Sequence, residues 1–119
     1  MAARALARFT VQHGRLRVQV RLLPTVADVD AEFRAGKRRR NGLVTFAYFA
    51  AGDAGPHRVG TIVLPANANL MELIPHEVTH AVMAHLVGVH SGDDESLATS
   101  VGKLTTRIVN ALHQRGWEV

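Results

Sequence analysis

The sequence predicts a small α+β domain, and the main reason is the period of its apolar residues. Before Pro65 the chain has four segments typical of strands and one short helical stripe, and after Pro65 its apolar residues recur at helical spacing. The chain of 119 residues is long enough for one hydrophobic core. We therefore expect a single domain over residues 1–119 with the element order β-β-α-β-β-α-α, in which helices pack against a mixed sheet.

Four segments have the composition of strands. The first two, residues 5–12 and 15–23, alternate in part and are separated by a tight turn at His13-Gly14. The other two, residues 43–50 and 58–64, are apolar runs on either side of a loop that contains glycine and proline. This second pair is predicted to form a hairpin.

Three helices are predicted. The first occupies residues 25–35, where Thr25 is suited to the N-cap and Gly36 to the C-cap. The second runs over residues 70–87, unless Pro75 marks its true beginning. The third runs from Asp93 or Asp94 to about residue 113 and has one apolar stripe. That stripe consists of Leu97, Val101, Leu104, Ile108 and Leu112.

The composition limits both the chemistry and the location. The sequence contains no cysteine, so a bound metal would be held by histidine and carboxylate side chains. No apolar run approaches the roughly 20 residues of a membrane span, and the first residues lack the pattern of a signal peptide. We therefore expect a cytoplasmic protein with no membrane partner, and secretion by another route is compatible with the sequence.

A basic cluster follows the first predicted helix. The formal net charge is +4, and much of the positive charge lies in the cluster. Its members are Arg34, Lys37, Arg38, Arg39 and Arg40. A charge run beside a turn-like Asn-Gly is usually a solvated loop. Because no aromatic residues are interleaved with it, a nucleic-acid partner is disfavoured, and a nucleic-acid-binding module is kept as a rival hypothesis.

The segment His76-Glu77-Val78-Thr79-His80 has the pattern of a zinc site on a helix. Residues four apart lie about 40° apart around a helix and one turn apart along it, so both imidazoles can reach one ion. Glu77 lies to one side, where it can accept a proton from water without binding the metal. With seven histidines among 119 residues, random order produces this motif in about 2% of such chains.

A catalytic zinc keeps three protein ligands and one open position, so a third ligand is required. Glu95 is favoured, because a tight turn through residues 88–92 would place the last helix antiparallel to the second. Small residues on the same side as Glu95 would let the two helices approach closely. They are Ala98, Thr99, Gly102 and Thr106. The alternatives near the turn are His90, Asp93 and Asp94. His85 lies about 180° around the helix from His76 and therefore faces away.

The pattern of His76, Glu77 and His80, followed by Glu95 on a second helix, resembles the gluzincin branch of zinc metallopeptidases. The short chain is similar to the smallest members, called minigluzincins, over about residues 70–100. The resemblance implies a zincin-like fold with an upstream helix, an active-site helix and a C-terminal glutamate helix. It implies Zn²⁺ ligands at His76, His80 and Glu95, and a general base at Glu77.

The resemblance also implies a peptide or protein substrate that pairs with the edge strand of the sheet, for which residues 43–50 are favoured over 58–64. The metzincin pattern is excluded, because its third histidine would fall at Leu86. The sequence departs from many gluzincins in lacking an obvious downstream residue that steadies the oxyanion. The loose candidates are Tyr48, His57 and His113.

A rival from another class is a zinc-binding module that is non-catalytic or autoinhibited, with its open position filled by a fourth protein group or by the C-terminal tail. The tail, residues 115–119, holds the only tryptophan, Trp117. A tryptophan is costly to leave fully exposed. It is expected to cover the core, and the alternative is insertion into the cleft of a neighbouring chain, which would give self-association.

Overall fold

The computed structural model describes residues 4–36, 43–52, 58–86 and 94–119, without the side chains of Arg58, Val59, Leu86, Asp94 and Glu95. Within these ranges seven elements follow one another, and they confirm the α+β class and the predicted order. They are β1 (Ala7–His13), β2 (Leu16–Leu23), α1 (Val26–Ala35), β3 (Tyr48–Ala51), β4 (Arg58–Pro65), α2 (Leu70–Leu86) and α3 (Asp94–Gln114). Among the helices described, none has the length and hydropathy that a membrane span requires.

The four strands form one mixed sheet in the order β1-β2-β4-β3. Strand β2 runs antiparallel to β1 and parallel to β4, while β3 runs antiparallel to β4. The predicted mixed sheet and the β3–β4 pairing are therefore confirmed. Since β3 lies at the edge and β4 lies inside the sheet, the choice of the 43–50 segment as the source of the edge strand is also confirmed.

Gly60 allows β3 to lie close to β4. It has a φ of +152°, and a Cβ atom added there would lie 2.0 Å from the carbonyl oxygen of Ala50. No side chain fits in that space, so glycine is required where the two strands pair.

The sheet carries helices on both faces. On one face α1 buries Val29 and Phe33 against Tyr48 and Val63 of the sheet. Helices α2 and α3 pack on the other face, where most of the core lies. The predicted apolar stripe of α3 is confirmed, because Leu104, Ile108 and Leu112 are fully buried and Leu97 and Val101 pack against the same cluster.

Helix α1 begins as its sequence predicts. The Thr25 hydroxyl accepts a hydrogen bond from the Asp28 amide at 3.1 Å, and the Asp28 carboxylate accepts one from the Thr25 amide at 3.1 Å. This reciprocal pair is a capping box, which satisfies amides that the first helical turn leaves without partners. Gly36 follows the helix as its C-cap.

Three expectations need correction. Strand β3 covers only Tyr48–Ala51, and residues 43–47 are irregular. Helix α2 begins at Leu70 and contains Pro75, so a beginning at Pro75 is wrong. The small residues of α3 do not pack against a neighbouring helix, because the four of them are exposed to solvent: Ala98, Thr99, Gly102 and Thr106.

The C-terminal tail closes over the main core. The Trp117 amide donates to the Leu112 carbonyl at 2.9 Å and the Gly116 amide to the His113 carbonyl at 3.0 Å. With Gly116 at a φ of +86°, these two bonds form a Schellman cap. Trp117 and Val119 are half-buried against the main core, which is the covering role expected for the tryptophan.

Candidate metal centre

The first half of α2 positions the site. The Asn69 carbonyl accepts hydrogen bonds from the Glu72 and Leu73 amides, at 3.2 and 3.1 Å, and so opens the helix where the sequence predicts. Pro75 lies one turn later and has no amide hydrogen to donate. The Thr79 hydroxyl donates to the Pro75 carbonyl at 2.7 Å, which ties together the two turns that carry the histidines.

The buried face of α2 sets how the helix is rotated about its own axis relative to the sheet. Ile74, Val78, Ala81 and Val82 are all buried against the sheet and α3. Residues on the opposite face must then point away from the core. His76 and His80 lie on that opposite face, and both are exposed.

The two imidazoles converge. Their Nε2 atoms are 3.3 Å apart, and their ring centroids are 5.0 Å apart. Two nitrogens that bind one zinc at about 2.0–2.1 Å in tetrahedral geometry lie about 3.3–3.4 Å apart. The distance between the two nitrogens therefore matches that of two zinc ligands, and imidazole nitrogens are donors that zinc prefers in a chain without cysteine.

Glu77 lies deeper than the histidines. Its side chain is 6% exposed, whereas that of His76 is 62% exposed, and its Oε2 atom is 3.9 Å from Nε2 of His76. The carboxylate thus lies beside the His76 imidazole and below the exposed histidine pair.

A cleft of about 390 Å³ opens beside Glu77. One wall belongs to α2 and the residues just before it: Ala68, Asn69, Glu72, Leu73, His76 and Glu77. The other wall belongs to the segment before the edge strand: Val44, Phe46 and Ala47. The cleft therefore lies between residues 44–47 and the first half of α2, and His76 is the motif histidine that lines it.

We call residues 43–47 the lip of the cleft. Within the lip, Thr45 and Ala47 are buried, whereas Val44 and Phe46 are 52% and 51% exposed. The two exposed residues line the cleft. The lip thus presents apolar side chains to solvent on one side and is held by its buried residues on the other.

A carboxylate on α1 holds the lip. The Thr45 amide donates to Oδ1 of Asp30 at 2.9 Å, and the Arg34 guanidinium donates to Oδ2 of Asp30 at 2.8 Å. The Thr45 amide, and after it Arg34, hold the pKa of the Asp30 carboxyl below its ordinary value. Periodicity does not reveal this contact, because it joins a helix to an irregular segment 15 residues away.

The third ligand falls at the border of the described part of the chain. Glu95 lies in the first turn of α3, but its side chain lies outside the described residues, as does that of Asp94. His90 and Asp93 lie wholly outside them. Within the described part of the chain, no three metal-binding side chains lie together. Glu95 therefore stays a prediction of the sequence.

Of the three oxyanion candidates, the two that the structure describes do not line the cleft. Tyr48 packs edge-on against Phe33 with ring centroids 5.2 Å apart, on the face of the sheet that α1 covers. It therefore lies on the opposite face from α2, and the expectation that it serves the site is wrong. His113 lies in the last turn of α3, at the other end of the helix from Glu95. His57 lies outside the described residues.

Most of the basic cluster lies outside the described residues, since these end at residue 36 and resume at residue 43. Arg34, which is described, forms an ion pair with Asp30 at 2.8 Å. Its charge is thus partly neutralised within the domain.

No family model matches this chain, and neither the curated proteins nor the solved structures yield a match.

Proposed function

We propose that the protein is a zinc-dependent peptidase with a zincin-like fold of the minigluzincin kind. The observation that carries the proposal is the convergence of the His76 and His80 Nε2 atoms, 3.3 Å apart, beside the deep carboxylate of Glu77. The spacing of four residues brings the two rings together, and the buried carboxylate beside them adds the group that a hydrolytic zinc site needs. The proposal places the activity in the cytoplasm, as the composition suggests.

His76, His80 and Glu95 would hold the metal. A bound zinc ion would supply a Lewis acid that polarises a carbonyl group and acidifies water. Glu77 is the general base: its carboxylate takes a proton from the attacking water and delivers it to the leaving amine. Its depth in the cleft supports this role, because a carboxylate shielded from bulk water keeps the proton for the departing group.

The cleft would hold the substrate. Strand β3 is paired with β4 on one side only, so the backbone of an extended peptide can pair with its other side. Val44 and Phe46 would contact side chains of that peptide. Strand β3 directly follows the lip, which lines the cleft, and this continuity supports an extended peptide as the substrate.

Metal content tests the site. Purified wild-type protein is expected to hold about one zinc per chain, and His76→Ala, His80→Ala and Glu95→Ala are each expected to hold well below one at micromolar zinc. His85→Ala is the matched control, because it removes a histidine from the last turn of the same helix and should keep full zinc content. If Glu95→Ala keeps its zinc while His90→Ala loses it, the third ligand is His90.

Glu77→Gln separates catalysis from binding. The amide cannot accept the proton, so we expect full zinc content and a loss of at least about 100-fold in peptide hydrolysis. Full activity in this variant would remove the proposed mechanism. Loss of zinc would make Glu77 a ligand. Full zinc content with no peptidase activity in the wild type would favour the non-catalytic module.

A further inference from the structure

The lip is the wall of the cleft that has no regular secondary structure. Residues 43–47 are irregular, yet Val44, Phe46 and Ala47 supply one whole side of the cleft. The irregular backbone forms no ladder with β4 before Tyr48. Some other contact must therefore hold these residues at a constant distance from α2.

Thr45 provides that contact through its backbone. Its side chain is buried, and its hydroxyl has no hydrogen-bond partner among the described residues. The hydrogen bond from its amide to Asp30, 2.9 Å long, is thus the polar contact that holds it. Because the acceptor is ionised, this bond is among the stronger ones in a protein.

Asp30 is in turn held in place. It lies in the middle of α1, away from both helix ends. Arg34, one turn later, donates to its second oxygen at 2.8 Å. Both oxygens are engaged, so the carboxylate is oriented before it meets the Thr45 amide.

We propose that Asp30 is the positioning residue of the cleft: through the Thr45 amide it sets where Val44 and Phe46 meet the substrate. The carboxylate lies on α1, on the face of the sheet opposite α2, and is not among the residues that line the cleft. Its effect is on substrate affinity and not on the chemical step. In its kinetic part this inference rests on the proposed peptidase function.

Amide hydrogen exchange tests the anchor without any assumption about function. Asp30→Ala should speed exchange of the Thr45 amide and its neighbours by about 10-fold or more, the order expected for loss of one charge-assisted hydrogen bond. Amides of β2 and the buried turns of α2 should keep their wild-type rates. Alanine favours the helix, so α1 should persist. If the variant does not fold, Asp30→Glu displaces the carboxylate while keeping its charge and should give the same result.

Two matched variants exclude a general loss of stability. Asp28→Ala removes the capping box of the same helix and lies two residues from Asp30. It should lower the melting temperature yet leave exchange of the lip and KM unchanged. Asp30→Asn keeps an oxygen for the Thr45 amide and should restore most of the wild-type protection.

Peptide kinetics test the positioning role. Asp30→Ala should raise KM about 10-fold with kcat within about twofold of wild type, since the chemical groups are untouched. Unchanged exchange at Thr45 in Asp30→Ala would overturn the anchor itself. Faster exchange with an unchanged KM would overturn the positioning role. If wild type hydrolyses no peptide, the proposed function fails while the exchange result still decides whether Asp30 holds the lip.

Discussion

Helices α2 and α3 lie on the same face of the sheet, but they distribute polar residues differently. Helix α3 is divided sharply into an apolar stripe and a polar outer face. Helix α2 is apolar around most of its circumference. Its few polar residues include His76, Glu77 and His80, which lie together within two turns.

This difference separates the roles of the two helices. The exposed residues of α3 include Arg107, whose guanidinium donates to the Gln12 carbonyl of β1. The outer face of α2 carries His76 and His80 next to the exposed Met83. The buried face of α2 sets how the helix is rotated about its axis, and the exposed face carries the proposed metal ligands. Mutations can therefore change stability and metal binding separately.

The largest effect is expected from the inner face of α2. Ile74 is 0% exposed, and Ile74→Ala should lower the free energy of unfolding by about 2–5 kcal/mol. His80→Ala, on the outer face, should change it by no more than about 0.5 kcal/mol in metal-free protein while abolishing zinc binding. Urea unfolding of chelator-treated samples measures the stability change of each variant, and metal analysis measures zinc binding.

Met83→Ala is the control for the outer face. Met83 lies on the same stripe as the two histidines and is 56% exposed, so it should affect neither stability nor zinc content. If His80→Ala destabilised metal-free protein as strongly as Ile74→Ala, the two faces of α2 would not have separate roles. His80 would then contribute to the stability of the fold.

The elements of the fold could be predicted because local chemistry determines them. Thr25 opens α1, the five apolar residues of the α3 stripe face the core, and the order of elements follows from the change of period at Pro65. The convergence of His76 and His80 was predictable for the same reason. A spacing of four residues on one helix fixes the relation of two side chains without any long-range contact.

The rest of the site depends on contacts that the sequence does not reveal. The apolar run in residues 43–50 predicts a strand, but Thr45 binds a side chain of α1, and the strand begins only at Tyr48. Small residues permit two helices to approach but do not drive them together. The stripe that includes Ala98 and Gly102 is therefore exposed, and the apolar stripe alone decides which side of α3 is buried.

A smaller effect is expected from the tail, which extends the buried stripe of α3. Removal of residues 115–119 takes away half-buried Trp117 and Val119. The loss should be about 1–2 kcal/mol of the free energy of unfolding, with unchanged specific activity. Higher activity after truncation, together with activity of the full chain that falls as its concentration rises, would instead show that the tail inhibits a neighbouring chain. A truncated chain as stable and as active as the original would remove both roles.

The smallest effect concerns the outer face of α3 and tests the comparison most directly. Gly102 lies in the helix interior, and an added Cβ there would meet nothing within 4 Å. Gly102→Ala should therefore raise the free energy of unfolding by about 0.5–1 kcal/mol, because alanine loses less backbone entropy in a helix. Gly60→Ala should instead lower the free energy of unfolding, since its Cβ would lie 2.0 Å from the Ala50 oxygen.

Gly102 also tests how α3 would contribute a zinc ligand, because it is two turns beyond Glu95 on the same side of the helix. If zinc draws that side toward α2, alanine will stabilise the metal-free protein but weaken zinc binding. If Gly102→Ala stabilises the protein equally with and without zinc, this side of α3 remains exposed to solvent when Glu95 binds the metal. The exposure of the small residues supports this second outcome.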